Sequence, residues 1–284
     1  MKRVFLFLFA IFVACPAFAA NKIVATYPPI QSLVWSVTEG VAPVNVMFSK
    51  AQANHHNVQL KPSQMRILKG ATIVFYASDD LETFMKDALK TVAPKAKAYS
   101  LMDEIPDLTL LESKKDKDKK DVHYWLDVDN ALLMVDKITE IMINEDPKNE
   151  KKYLANQEKS KSYINSLKTF ERPDEAKKFV AFHDGFEYMA NSFDLDITTS
   201  DIDLESMNTP KAVKDAKKEI KESKAVCFLV DPQTNRRYLK SLDLKDKDLA
   251  KIDAFGWNID TGVGQYYRMM RWNLERLVKC SAKK

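Results

Sequence analysis

The chain has 284 residues, 44 basic and 40 acidic, with four histidines and three cysteines. A formal charge of +4 is close to neutral for this length and excludes an electrostatic case for nucleic acid or an anionic membrane as partner. Lys2 and Arg3 precede an apolar run, Val4 to Ala14, that is too short to span a bilayer. With Pro16-Ala17-Phe18-Ala19 after it, the segment reads as a secretory signal peptide, residues 1–19, cleaved after Ala19 with Ala20 as the next candidate. Cys15 raises a lipoprotein signal as an alternative, but Phe12-Val13-Ala14 fits that pattern poorly. Cleavage removes two lysine or arginine residues and no acid, so the formal charge falls from +4 to +2.

Strand and helix then alternate. Lys22 to Thr26 is a short apolar strand ending at Tyr27-Pro28-Pro29, and Ile30 to Glu39 has helical spacing up to Gly40. Val44 to Phe48 is a strand leading into Asn54-His55-His56. Pro62 opens a helix that ends near Gly70, a position where its missing N–H does no harm. Ala71 to Tyr76 is a continuous apolar strand, as expected where both sheet faces are covered. Leu81 to Leu89 reads as helix and Ala96 to Leu101 as a weaker strand. The run from Glu112 to Asp121 has no apolar residue and predicts a mobile, solvated loop.

Asp127 to Ile143 is an amphipathic helix. Lys148 to about Phe170 is a longer, more polar one, roughly 35 Å at helical rise, suited to bridging two lobes over a surface. The alternation resumes with strands at Phe179–Phe182, Asp196–Thr199, Ala225–Val230 and Leu249–Ile252. Helices follow at Gly185–Phe193, Pro210–Glu222, Thr234–Leu242 and Gln265–Lys279. The order argues for an α/β fold of two lobes, each a mostly parallel sheet flanked by helices, joined by one long helix. The expected division is a signal peptide at 1–19, a first lobe at 20–147, a connecting helix at 148–172 and a second lobe at 173–284.

The four histidines, His55, His56, His123 and His183, occupy three places, each at a strand end or loop. His183 and Asp253 directly follow predicted strands, where open α/β sheets bind ligands. Three imidazoles and a carboxylate would make a tetrahedral metal site. Cys227 and Cys280 remain after signal cleavage. In an oxidising compartment they are expected to pair across about 50 residues, worth roughly 4 kcal/mol, or else to be two buried thiols.

Six ordered motifs carry a resemblance. They are His56-x-x-x-Leu60-x-Pro62-Ser63, His123-x-Trp125-Leu126-Asp127, Phe182-His183-Asp184-Gly185-Phe186, Asp231-Pro232-Gln233, Asp253-Ala254-Phe255-Gly256 and Tyr266-Tyr267-Arg268-Met269-Met270. With them the mature chain resembles the metal-binding receptors of ABC-type zinc and manganese uptake systems, the ZnuA-like zinc receptors in particular. The resemblance implies a non-enzymatic receptor in the periplasm, a monomer that delivers Zn2+ to an ABC permease in the inner membrane. It implies His56, His123, His183 and Asp253 as ligands, with His55 the alternative for the fourth place. Asp231 would orient a histidine through its ring N–H. Cys227 and Cys280 lie where zinc receptors of this type carry a disulfide.

Zinc is favoured over Mn2+ because manganese prefers more oxygen ligands. Asp184 is expected to cap a helix, and the tyrosines and methionines of the last helix to be core. The loop before His123 lacks the histidines that zinc-type relatives often have there. Competing readings are a manganese receptor or metal-binding adhesin of the same fold and, more distantly, a secreted zinc hydrolase. For the last, Glu187 is the nearest acid to His183 in helical register, but no second histidine accompanies it.

Overall fold

The computed structural model describes residues 22–49, 58–114, 116–173, 177–202, 204, 207 and 209–282. The expected signal peptide and both His55 and His56 lie outside the described residues. The first lobe comprises β1 (Ile23–Ala25), α1 (Pro28–Thr38), β2 (Val44–Val46), α2 (Pro62–Leu68), β3 (Ile73–Tyr76), α3 (Met85–Val92), β4 (Lys97–Ser100) and α4 (Leu101–Glu104). After a 3-10 turn at Tyr124–Leu126 come two helices, α5 (Val128–Glu145) and α6 (Glu150–Ser166). The second lobe comprises β5 (Lys178–Ala181), α7 (Glu187–Phe193), β6 (Asp196–Thr199), α8 (Pro210–Ser223), β7 (Cys227–Val230), α9 (Arg236–Ser241), β8 (Leu249–Lys251) and α10 (Gln265–Ser281).

Both sheets are wholly parallel and share one topology. The first runs β2-β1-β3-β4 and the second β6-β5-β7-β8. The strand order reverses between β1 and β3 in the first sheet and between β5 and β7 in the second. At such points the connections leave to opposite sides and a crevice opens beyond the carboxyl ends of the strands. The fully buried runs of β3 and β7 reflect cover on both faces. The two crevices face each other: Tyr27, just beyond β1, packs its ring 5.0 Å from that of Phe255, just beyond β8.

Element boundaries depart from the sequence expectation where side chains replace helix bonds. The third helix begins at Met85 and not at Leu81, because residues 77–82 form a turn wrapped around the buried Glu82 carboxylate. That carboxylate accepts from the Ala77 and Ser78 N–H groups and the Thr26 hydroxyl, while Ser78 Oγ accepts from Leu81 N–H. Glu82 thereby fills the first lobe's strand-order crevice.

The connecting helix has 17 α-helical residues, about 26 Å, extended by 3-10 turns at Pro147–Asn149 and Leu167–Thr169, so the helical stretch nearly covers the expected Lys148 to Phe170. It lies along α1 and α5 of the first lobe. It buries a narrow stripe of Tyr153, Asn156, Ser160 and Ile164. Asn156 donates to the carbonyls of Val37 and Glu39, and Lys161 and Gln157 both bond Asp136. Polar anchors therefore fix a helix whose apolar content alone would not.

The charged run before His123 is not a free loop. Glu112 bridges Lys120 in antiparallel fashion, Ser113 N–H bonds Lys119 O and Asp121 N–H bonds Leu111 O. The two stems are pinned by Tyr188 of α7, whose hydroxyl accepts from Leu111 N–H and donates to Asp121 O. The sequence pattern hid this because the clamp on both stems, Tyr188, is distant in the chain.

Cys227 at the start of β7 and Cys280 near the end of α10 form a disulfide, Cα atoms 6.2 Å apart, that staples the last helix to its sheet. Tyr266, Met269 and Met270 of α10 are buried as expected, while Tyr267 is only partly buried. Among the described residues, no helix is long and apolar enough to cross a membrane.

Candidate metal site

His183 sits two residues beyond β5 and Asp231 directly beyond β7, so the two flank the second lobe's strand-order crevice. His183 Nδ1 lies 3.5 Å from Asp231 Oδ2. His123 enters from the first lobe, immediately before the 3-10 turn, and is 2% exposed. A single oxygen of Asp121 holds it twice, accepting from its backbone N–H at 2.9 Å and facing its ring Nδ1 at 2.7 Å. Trp125 Nε1 donates to Ala254 O and Tyr266 Oη to Trp125 O, which fastens the His123 turn to the second lobe. The ring of Phe255 packs against both His123 and Trp125, so the site has an apolar floor.

The two rings meet edge to edge with His123 Nε2 and His183 Nε2 3.4 Å apart. His123 Nδ1 is bonded to Asp121 Oδ1, which places its proton there and leaves a lone pair on Nε2, while His183 Nδ1 stands 3.5 Å from Asp231 Oδ2. At that distance the two Nε2 atoms either share a proton in an N–H···N bond or flank a cation. Two nitrogens bound to one zinc ion at about 2.05 Å and a tetrahedral angle stand about 3.3 Å apart, close to the observed separation.

Charges around the pair are tuned by burial and by each other. Burial pushes the Asp121 carboxyl up, but the imidazoles of His123 and His183 and its hydrogen bonds outweigh this and hold it below the usual carboxylate value. Asp253, 2% exposed, is pushed up, mainly by burial and further by the charge of Asp231, against the pull of its hydrogen bonds. Glu187 is likewise raised by burial and by Asp184 and Asp121, with Lys114 opposing.

Asp253 lies in the loop beyond β8, and both its oxygens accept hydrogen bonds from that loop. Oδ1 takes the N–H groups of Phe255 and Gly256, while Oδ2 takes two longer bonds from Asn258, at 3.3 and 3.2 Å. Asp184 does not cap a helix: α7 starts at Glu187 without a side-chain cap, and Asp184 Oδ2 accepts from Ser113 Oγ at 2.8 Å. Among the described residues, no three His, Cys, Asp or Glu side chains are gathered so as to hold an ion. The histidine pair is what the fold assembles from them.

Two contributors escaped the sequence reading. Asp121 was absorbed into the charged run, although a carboxylate two residues before a histidine can reach back to its ring. Gly185 has φ +144°, and a Cβ there would stand 2.5 Å from His123 Nδ1. The Phe-His-Asp-Gly segment thus needs glycine because the histidine of the other lobe passes against its backbone.

A family model described as "ZnuA: Zinc-uptake complex component A periplasmic" matches residues 23–280. The chain belongs to this family. It is therefore a metal-binding receptor component of an ABC-type uptake system, and an exported protein. The metal ABC transporter substrate-binding lipoprotein SsaB of Streptococcus sanguinis is 24% identical over 285 residues, covering 92% of this chain and 89% of its own. Among solved structures, the substrate-binding protein FpvC of Pseudomonas aeruginosa in complex with Mn2+ superposes with a TM-score of 0.73 at 16% identity, covering 93% of this chain and 98% of that one. The Zn(II)-bound ZnuA-like domain of Streptococcus pneumoniae AdcA superposes with a TM-score of 0.72 at 17% identity, covering 92% and 98%. The two-lobed parallel α/β fold read from the sequence is that of these neighbours.

Proposed function

We propose that this receptor binds zinc in the periplasm, after removal of residues 1–19, and hands it to an inner-membrane ABC permease. The ligands are His56, His123, His183 and Asp253. The observation that carries the reading is the 3.4 Å approach of two Nε2 atoms from different lobes, with His123 Nδ1 bonded to Asp121 and His183 Nδ1 3.5 Å from Asp231. His56, which lies between β2 and α2 in sequence and outside the described residues, is the proposed third imidazole, and Asp253 binds through Oδ2, whose two bonds are the longest it accepts. His55 is the alternative for the fourth place. Asp121 and Asp231 fix the two ring orientations. Residues 20–147 form the first lobe, 148–172 the connector and 173–284 the second lobe of a monomeric receptor.

Equilibrium dialysis with metal analysis tests the ligand set. His123→Ala and His183→Ala should each abolish tight zinc binding; full retention by both sinks the assignment. The same fold in the Mn2+-bound FpvC and in the laminin-binding adhesin Lmb of Streptococcus agalactiae supports a manganese receptor or adhesin as the second reading. A competition titration of zinc against manganese separates the two, zinc being expected to win because two or three imidazoles suit it better. The hydrolase reading gains no support from Glu187, whose carboxylate faces Lys114 and Thr199.

A further inference from the structure

The turn that carries His183 is held from the opposite lobe. Ser113 Oγ, on the charged hairpin of the first lobe, donates to Asp184 Oδ2 at 2.8 Å, one residue from His183. Lys114 Nζ lies 3.7 Å from Glu187 Oε2, on the first turn of the helix that follows. The hairpin itself is fixed at both stems by Tyr188 and leads directly into Asp121 and His123. One short segment therefore touches the His183 turn with its near strand and supports His123 with its far end.

We propose that Ser113 and Lys114 are positioning residues for His183, and that the hairpin is a strap whose fastening sets how long the metal is retained. This role rests on the proposed metal site. Releasing an ion held by His123 and His183 requires their Nε2 atoms to part, which separates the hairpin from the Asp184 turn. Other bonds between the lobes are buried or part-buried anchors: Tyr188 to the hairpin stems, Ser192 to Asp127 and Val128, Trp125 to Ala254, Gln31 to Gly262 and Ser32 to Tyr266. The Ser113 and Lys114 contacts are side-chain contacts at the solvent edge, with Lys114 61% exposed. They can open while the buried set stays closed. A permease surface that competes for Lys114, Asp184 or Glu187 would thus loosen His183 without unfolding either lobe.

The test measures zinc dissociation from the full receptor by stopped flow into excess chelator, with the melting temperature of the metal-free protein recorded beside it. Ser113→Ala should release zinc roughly tenfold faster, the scale of one lost charge-assisted hydrogen bond, and Lys114→Glu about two- to fivefold faster, the scale of an exposed ion pair lost. Ser113→Thr, which keeps the hydroxyl, should release at the native rate. Pairing Lys114→Glu with Glu187→Lys should restore most of the lost retention. A merely structural role would lower the metal-free melting temperature and leave the release rate unchanged, and that result overturns the strap. His183→Ala keeps the two hypotheses apart. If it retains zinc like the native protein, the metal-site reading fails. If it loses zinc while Ser113→Ala and Lys114→Glu release at the native rate, only the strap fails.

Discussion

Gly185→Ala probes the site through a residue that touches no ion. The added methyl would stand 2.5 Å from His123 Nδ1, 2.8 Å from Cγ and 2.9 Å from Cε1, against backbone at φ +144°. Restoring ordinary contact needs the imidazole to retreat by about 1 Å, and a misplacement of that size is costly in a site built on geometry. The retreat breaks the 2.7 Å bond to Asp121. Backbone strain costs roughly 1–3 kcal/mol, and the lost charged hydrogen bond roughly 1.5–3 kcal/mol. Urea denaturation of the metal-free protein should thus show a loss of about 3–5 kcal/mol. Zinc affinity, from competition with a chromophoric chelator, should fall roughly 10- to 100-fold. The decisive comparison repeats the substitution in a His123→Ala background, where only the backbone strain remains and the stability cost should drop by about half. Equal costs in both backgrounds would refute the claim that Gly185 is required by the His123 ring.

Three further outcomes are expected. Asp121→Asn, which keeps an acceptor but loses the charge on His123, should weaken zinc binding about tenfold in the same competition assay; unchanged affinity would remove Asp121 from the site. Burial pushes Glu82 from 4.5 up to about 7, so its folded form holds a proton that the unfolded chain releases. Stability relative to Glu82→Gln should therefore fall by about 3 kcal/mol as pH rises through that interval, measured by denaturant titration of metal-free protein. A pH-independent difference would show that Glu82 is not buried as a shifted acid. The Cys227–Cys280 bond closes a separation of 53 residues. Replacing both cysteines by serine should cost about 4 kcal/mol, seen as a lower melting temperature; no shift would mean that α10 is held by packing alone.

Local pattern made much of this protein legible. Continuous apolar runs such as Ile73–Tyr76 and Cys227–Val230 mark strands covered on both faces, and their alternation with amphipathic helices leads to two parallel sheets. Placing histidines after such strands points to the carboxyl-end crevice, because the direction of a parallel sheet is set by its connections. Capping was less so: the cap expected at Asp184 is absent, while Asp127, read as the first residue of its helix, is the N-cap of α5, its Oδ1 accepting from Asn130 N–H.

What depended on contacts between distant residues was not legible. The pairing of His123 Nε2 with His183 Nε2 joins residues 60 apart in sequence, and the Ser113–Asp184 bond spans 71. A run of lysines and aspartates is solvated by default, and nothing within it signals that Tyr188 will clamp its stems. Likewise Glu82 reads as an ordinary helical acid until the ends of β1 and β3 close around it. The sequence alone determined the elements, their order and the residue types able to bind a metal, since these follow from periodicity and side-chain chemistry within a few residues. Only the tertiary structure decided which carboxylate orients which imidazole and which glycine must stay bare, because those depend on how the two lobes approach.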